Sequence, residues 1–163
     1  MYFVVVGLQT VVLPLVSGVI HLVVVPGADP VAVFGMWWAF WGVGTRLLFA
    51  GIVQLVKPDV TAGIMGSTEP TVAERTVTRE LAQANLAFGA VGLLVLVPGW
   101  WPVAGLAGGV YLFLAFLGHV GNRDRNAKED FALWTDLVVG VVVILAGLWG
   151  LWGLWGLWSV LAG

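Results

Sequence analysis

Five stretches of this chain run for about twenty residues with almost no charge, long enough for a helix at ~1.5 Å per residue to cross ~30 Å of hydrocarbon. In lipid every backbone N–H and C=O must find a partner within its own segment, so apolar runs of this length read as membrane-spanning helices. The composition agrees, with 60 % hydrophobic and 10 % charged residues, against roughly 25 % charged in a soluble domain. A soluble fold is excluded. The five runs and their connections use nearly all of the 163 residues, which leaves no room for a separate soluble catalytic domain. There is no cysteine, so disulfides, thiol nucleophiles, iron–sulfur clusters and thiolate metal sites drop out as well.

The expected fold is therefore an all-α membrane protein: a single domain over residues 1–163, with helices at about 3–25, 30–56, 70–97, 101–120 and 128–161. The first lacks a basic leader region and a small-residue cleavage site, and is expected to be retained as a helix. Pro14 should kink it and release a carbonyl in mid-membrane. Asp29-Pro30 suits a helix cap followed by proline in the first turn. Residues 59–68 read as a loop, and Glu69-Pro70 as the start of a third helix whose first turns are aqueous. The fifth segment is longer than one crossing requires and must tilt or project.

Lys57, Arg75 and Arg79 lie in the second connection and Arg123, Arg125 and Lys128 in the fourth, whereas the first and third contain no Lys or Arg. Under the positive-inside rule the second and fourth connections face the cytoplasm, with the N-terminus in and the C-terminus out. The expected location is the cytoplasmic (inner) membrane. A four-helix alternative would place the two basic connections on opposite sides.

Near the C-terminus Gly-Leu-Trp recurs four times, starting at Gly147, Gly150, Gly153 and Gly156. On a helix each repeat of three drifts by about 60°, so glycines and tryptophans form a winding groove and ridge. The groove could take a partner helix or a pigment. The plainer alternative, favoured by the enrichment of Trp at membrane interfaces, is a lipid-facing helix end with aromatic anchors.

A charged group inside a bilayer costs on the order of 2.5–3.5 kcal/mol on insertion scales, so each one is a candidate site. Arg46 is the only basic residue placed inside, eleven residues before Lys57 and hence about 16 Å deep. It needs an acid, and Asp136 and Glu80 are the candidates, with Asp136 the deeper. Gln9, Gln54, Gln83, Asn85 and His119 occupy the same half of their helices. The expected cluster is Arg46, Glu80, Gln83, Asn85, His119 and Asp136. It serves either as a buried ion pair that fixes helix register or as a site for a quinone-like ligand with exchangeable protons.

His21 sits near the outer end of the first helix and His119 at the inner end of the fourth, most of the membrane thickness apart, so one haem is not expected to take both. His21 is expected to bond a backbone carbonyl. No metal-ligand spacing, nucleotide loop, hydrolase elbow or HExxH motif occurs, and no metal or nucleic-acid partner is expected.

The strings WAFWGVGTRLLFAG (38–51), RELAQANLAFG (79–89) and GHVGNRDRNAKEDFALWTD (118–136) resemble an uncharacterised family of small bacterial integral membrane proteins. They share its helix-two arginine, its Arg-Glu-Leu and Ala-Asn-Leu elements, and its His and Asp around the last cytoplasmic loop. The arginine helix, the glutamate-led helix and the following histidine also resemble, more distantly, the DoxX-like group of four-helix membrane proteins, some of which serve quinone-linked oxidation; that resemblance transfers no catalytic residue. The Gly-Leu-Trp repeats belong to neither pattern.

These readings converge on four packed helices plus one peripheral, with Gly42, Gly44, Gly105, Gly108 and Gly109 permitting close helix contacts within or between copies. The leading functional expectation is a membrane protein that binds a small amphipathic or quinone-like molecule at the polar cluster, with Arg46 as anchor and Glu80, His119 and Asp136 exchanging protons. The alternative is a non-catalytic subunit of a homo-oligomer or larger membrane complex, associating through Gly and Trp faces. A transporter is disfavoured, because five helices show no inverted repeat.

Overall fold

A computed structural model describes residues 1–64 and 66–161, with the side chains of 156–161 left out. The described chain is helical throughout, without strands. Among the described residues five helices are long and apolar enough to cross a membrane: α1 (Tyr2–Val24), α2 (Pro30–Val56), α4 (Val72–Leu96, its last turn 3-10), α5 (Trp101–Gly121) and α6 (Ala127–Leu161). The expected loop at 59–68 is in part a sixth, short helix, α3 (Pro58–Ile64). Proline is well tolerated in a first helical turn, where its missing N–H would have had no partner, so Pro58 starts a helix here rather than only ending α2.

Sequence caps set the helix starts. The Asp29 carboxylate accepts from Val31 N at 3.0 Å, with Pro30 in the first turn of α2. α4 begins two residues later than its Glu69-Pro70 signal suggested, because Thr71 and Glu74 close a reciprocal capping box: Glu74 N donates to Thr71 Oγ1 at 3.2 Å and Thr71 N donates to Glu74 Oε2 at 2.6 Å. Gly27 and Gly99, each after a proline, carry the left-handed backbone (φ 85° and 81°) that reverses the chain at the basic-free end.

α2 is the central helix. Of its membrane window 44 % is buried, against 17 % for α1, so α1 is the peripheral element. The core joins Ala39, Val43 and Leu47 of α2 to Ala104 and Leu112 of α5 and Val139 and Val143 of α6. α4 crosses α2 with backbones touching: a Cβ on Gly92 would lie 2.5 Å from Gly44 N. Gly42 meets Val139, Gly108 meets Val43, and Gly105 and Gly109 both meet Val143, so these five glycines serve packing inside the chain.

α1 is held by three indoles of α2. Trp37 Nε1 donates to His21 Nδ1 at 3.2 Å, Trp38 Nε1 to Thr10 O at 2.8 Å, and Trp41 Nε1 to Ser17 Oγ at 2.9 Å. The Thr10 carbonyl is the one that Pro14, lacking an N–H, cannot satisfy four residues on. α1 loosens into a π-helical turn (Leu8–Val12) just before that proline. His21 thus accepts from an indole, where a backbone carbonyl was expected as its partner; Trp38 takes the released carbonyl instead.

The two basic connections meet, because Asn126 Nδ2 donates to Ile64 O at 2.5 Å. At the opposite end Trp149 Nε1 donates to Asp29 Oδ2 at 2.7 Å. Gly147 and Gly150 press against Leu106, Pro102 and Trp101 at the start of α5, while Gly153 meets nothing within 4 Å. The glycine groove winds off α5 after two repeats, leaving Trp152 and Trp155 81 % and 78 % exposed. The side chains of the fourth repeat lie outside the described residues.

Candidate functional site

Arg46 follows a seven-residue π-helical stretch of α2, Ala39–Thr45. Such stretches shift the register of side chains and recur at functional sites. Within it the Thr45 hydroxyl donates to Trp41 O at 2.9 Å, taking up a carbonyl of the widened turn. The Arg46 side chain then points into the bundle, 8 % exposed, and its Nη2 lies 2.5 Å from Asp136 Oδ1 of α6. Guanidinium cannot shed its proton, so a carboxylate here neutralises a charge that lipid would exclude.

His119, near the end of α5, sits between two carboxylates. Its Nε2 lies 3.9 Å from Asp136 Oδ2 and its Nδ1 3.2 Å from Glu129 Oε1. Glu129 is 1 % exposed and accepts two bonds from Asn122 Nδ2, at 2.8 and 3.0 Å. Arg125 donates to His119 O at 3.0 Å, to Asn122 O and, through Nε, to Asp130 at 2.8 Å, tying off the end of α5. Glu129, in the first turn of α6, is the principal residue absent from the expected cluster. Its spacing of seven from Asp136, two helical turns, was the available signal that both share a face.

A second, uncharged chain crosses three helices. Asn85 Nδ2 donates to Gln54 Oε1 and Tyr111 OH donates to Asn85 Oδ1, each at 2.7 Å, and the Tyr111 ring stacks on Phe88 at 4.3 Å. On α1, Gln9 Nε2 donates to Thr45 Oγ1 at 3.2 Å, and its Oε1 is buried without a partner among the described residues.

Both chains face one cavity of about 370 Å³ in the half of the bundle nearer the basic connections. The inner part of α1 rests on α6, with Phe3 and Phe131 rings 5.1 Å apart, and the cavity fills the space left between α1 and α2. Arg46, Asp136, His119, Asn85, Gln54, Tyr111 and Gln9 supply its polar wall. Phe49, Val60 and Leu81, 50 %, 48 % and 42 % exposed, form an apolar rim.

Of the expected cluster, Arg46, Asn85, His119 and Asp136 come together around this cavity. Glu80 and Gln83 do not: both are exposed on the outer face of α4 and outside the lining. Asn85 shares its face with Ala82, Gly89 and Gly92, which press on α2, and that turns Glu80 and Gln83 away. His119, Glu129 and Asp136 do not converge as a metal site would require: the two ring nitrogens face different acids.

No curated protein and no solved structure matches the chain. A family described as Family of unknown function (DUF6790) matches over residues 4–152, a span that holds Gln9, Arg46, Gln54, Asn85, Tyr111, His119 and Asp136 of the cavity wall, and the chain belongs to that family.

Proposed function

We propose that this protein is a multi-pass protein of the cytoplasmic membrane, N-terminus inside, that binds a small amphipathic molecule in the cavity beside Arg46. The observation that carries this reading is a polar wall of charge and amides behind an apolar rim, in a cavity of about 370 Å³. That volume lies within the ~300–1,000 Å³ usual for small-molecule sites. A polar head would meet Arg46, Asn85 and His119, and an apolar tail would leave past Phe49 and Leu81. A quinone-like ring fits the same description. The test is the organic extract of protein purified in mild detergent. A compound should be enriched in the wild-type extract and missing from that of Ala115→Trp, which fills the cavity, while Leu114→Trp, on the exposed side of α5, retains it. Identical extracts from all three would overturn the reading.

A second reading, a subunit of a homo-oligomer or larger membrane complex, is favoured by Trp152 and Trp155 alone, since the glycine faces are used internally. Trp152→Ala/Trp155→Ala should then shrink the solubilised particle; an unchanged size counts against it.

A further inference from the structure

The charges buried around the cavity do not leave room for an anion. Arg46 is matched by Asp136, and Glu129 adds a second carboxylate on the far side of His119. With His119 neutral the set carries a net charge of minus one; with His119 protonated it carries none. No other side chain in the cavity wall changes that count. α1 contributes Gln9 and Tyr2, α4 contributes Asn85, and α5 adds Tyr111. Arg125 is matched by Asp130, and Met1 at the rim is 98 % exposed.

Hydrogen-bond donors, in contrast, are in surplus. Arginine offers five N–H donors, and among the described residues only Arg46 Nη2 has a partner. The rest, on a side chain 8 % exposed, have the cavity to turn to. Of the buried amide oxygens in the cavity wall, that of Gln9 lacks a donor. Because the Thr45 hydroxyl gives its hydrogen to Trp41 O, Gln9 must offer its NH2 to Thr45, which leaves Gln9 Oε1 unpartnered in the cavity wall.

We infer that the cavity selects an uncharged amphiphile of the acylglycerol kind, whose ester carbonyl accepts from Arg46 and whose hydroxyl donates to Gln9, and that it discriminates against anionic lipids. This rests on the cavity being a ligand site, as proposed above. An anion brought next to Asp136 and Glu129 would add a like charge in a low-dielectric space, where Coulomb repulsion is strong. A neutral carbonyl uses the same guanidinium donors without adding charge.

Three probes with one oleoyl chain separate the parts of the claim: monoolein (carbonyl and hydroxyls), methyl oleate (carbonyl only) and oleate at alkaline pH (anionic). Binding to the full chain in nanodiscs should follow that order, with oleate about tenfold or more weaker than monoolein. Glu129→Gln removes the surplus charge and should shrink the monoolein-to-oleate ratio, while Gln9→Met should close the gap between monoolein and methyl oleate. Oleate binding as tightly as monoolein in the wild type overturns the inference and leaves the cavity reading standing, and so does a ratio that Glu129→Gln does not move. Background binding of all three, equal to that of Ala115→Trp, overturns both.

Discussion

Arg46 enters the bundle ten residues before α2 ends at Val56, too deep for its side chain to reach the end of the helix. Its pairing with Asp136 is better regarded as an obligation than as a gain. Bringing two ions together in a dry interior roughly repays their desolvation, whereas removing one leaves the other buried and unmatched. Asp136→Asn should therefore lower stability in detergent by about 3–5 kcal/mol. Arg46→Met/Asp136→Leu should recover most of that loss, since it removes both charges together. Thermal unfolding of the three proteins side by side checks this, and an Asp136→Asn protein as stable as the wild type would contradict it. At this scale the sequence was legible where depth alone decided the answer, as for Arg46, and ambiguous where facing decided it. Asn85 lies about 140° around the helix from Glu80, so at most one of them could face inward. The stripe Ala82, Asn85, Gly89 and Gly92, small residues on one face, was the clue that it is Asn85.

Among the elements, α1 shows how a lost backbone bond becomes a tertiary contact. Pro14 leaves Thr10 O without its helical donor, and Trp38 of α2 supplies one from across the interface. Trp38→Phe should cost about 1–3 kcal/mol by leaving that carbonyl bare in an apolar setting. In a Pro14→Ala background the new N–H at position 14 can serve Thr10 O, so the same Trp38→Phe change should cost much less there. A double-mutant cycle on detergent-solubilised protein measures the coupling, and strict additivity would rule the mechanism out. Helix ends were readable because caps are local: Asp29-Pro30 and the Thr71/Glu74 box act within four residues. The π-helical stretches of α1 and α2 were not, because a π-turn is stabilised by what packs against it.

For the whole molecule, the two basic connections share one end and are joined by Asn126 and Ile64 O, while Trp100, Trp101 and Trp149 lie at the other end. In the proposed topology that basic end faces the cytoplasm. The chain has no cysteine, so single cysteines report cleanly. With a membrane-impermeant maleimide, Trp100→Cys should label on intact cells and Asp124→Cys only after lysis; the reverse pattern would invert the topology.

Hydrophobicity over twenty-residue stretches, the position of prolines and the placement of cations are one-dimensional properties. They alone determined that the chain is a five-helix membrane protein, with a deep arginine in need of an acid. Which acid it took, which helix became peripheral, that Glu129 turned inward and Glu80 outward, and that a cavity remained between α1 and α2 were decided by tertiary structure. Those outcomes depend on which helix faces meet. Glycine contacts such as Gly44 on Gly92 set that to within an ångström or two, through packing between residues far apart in the chain.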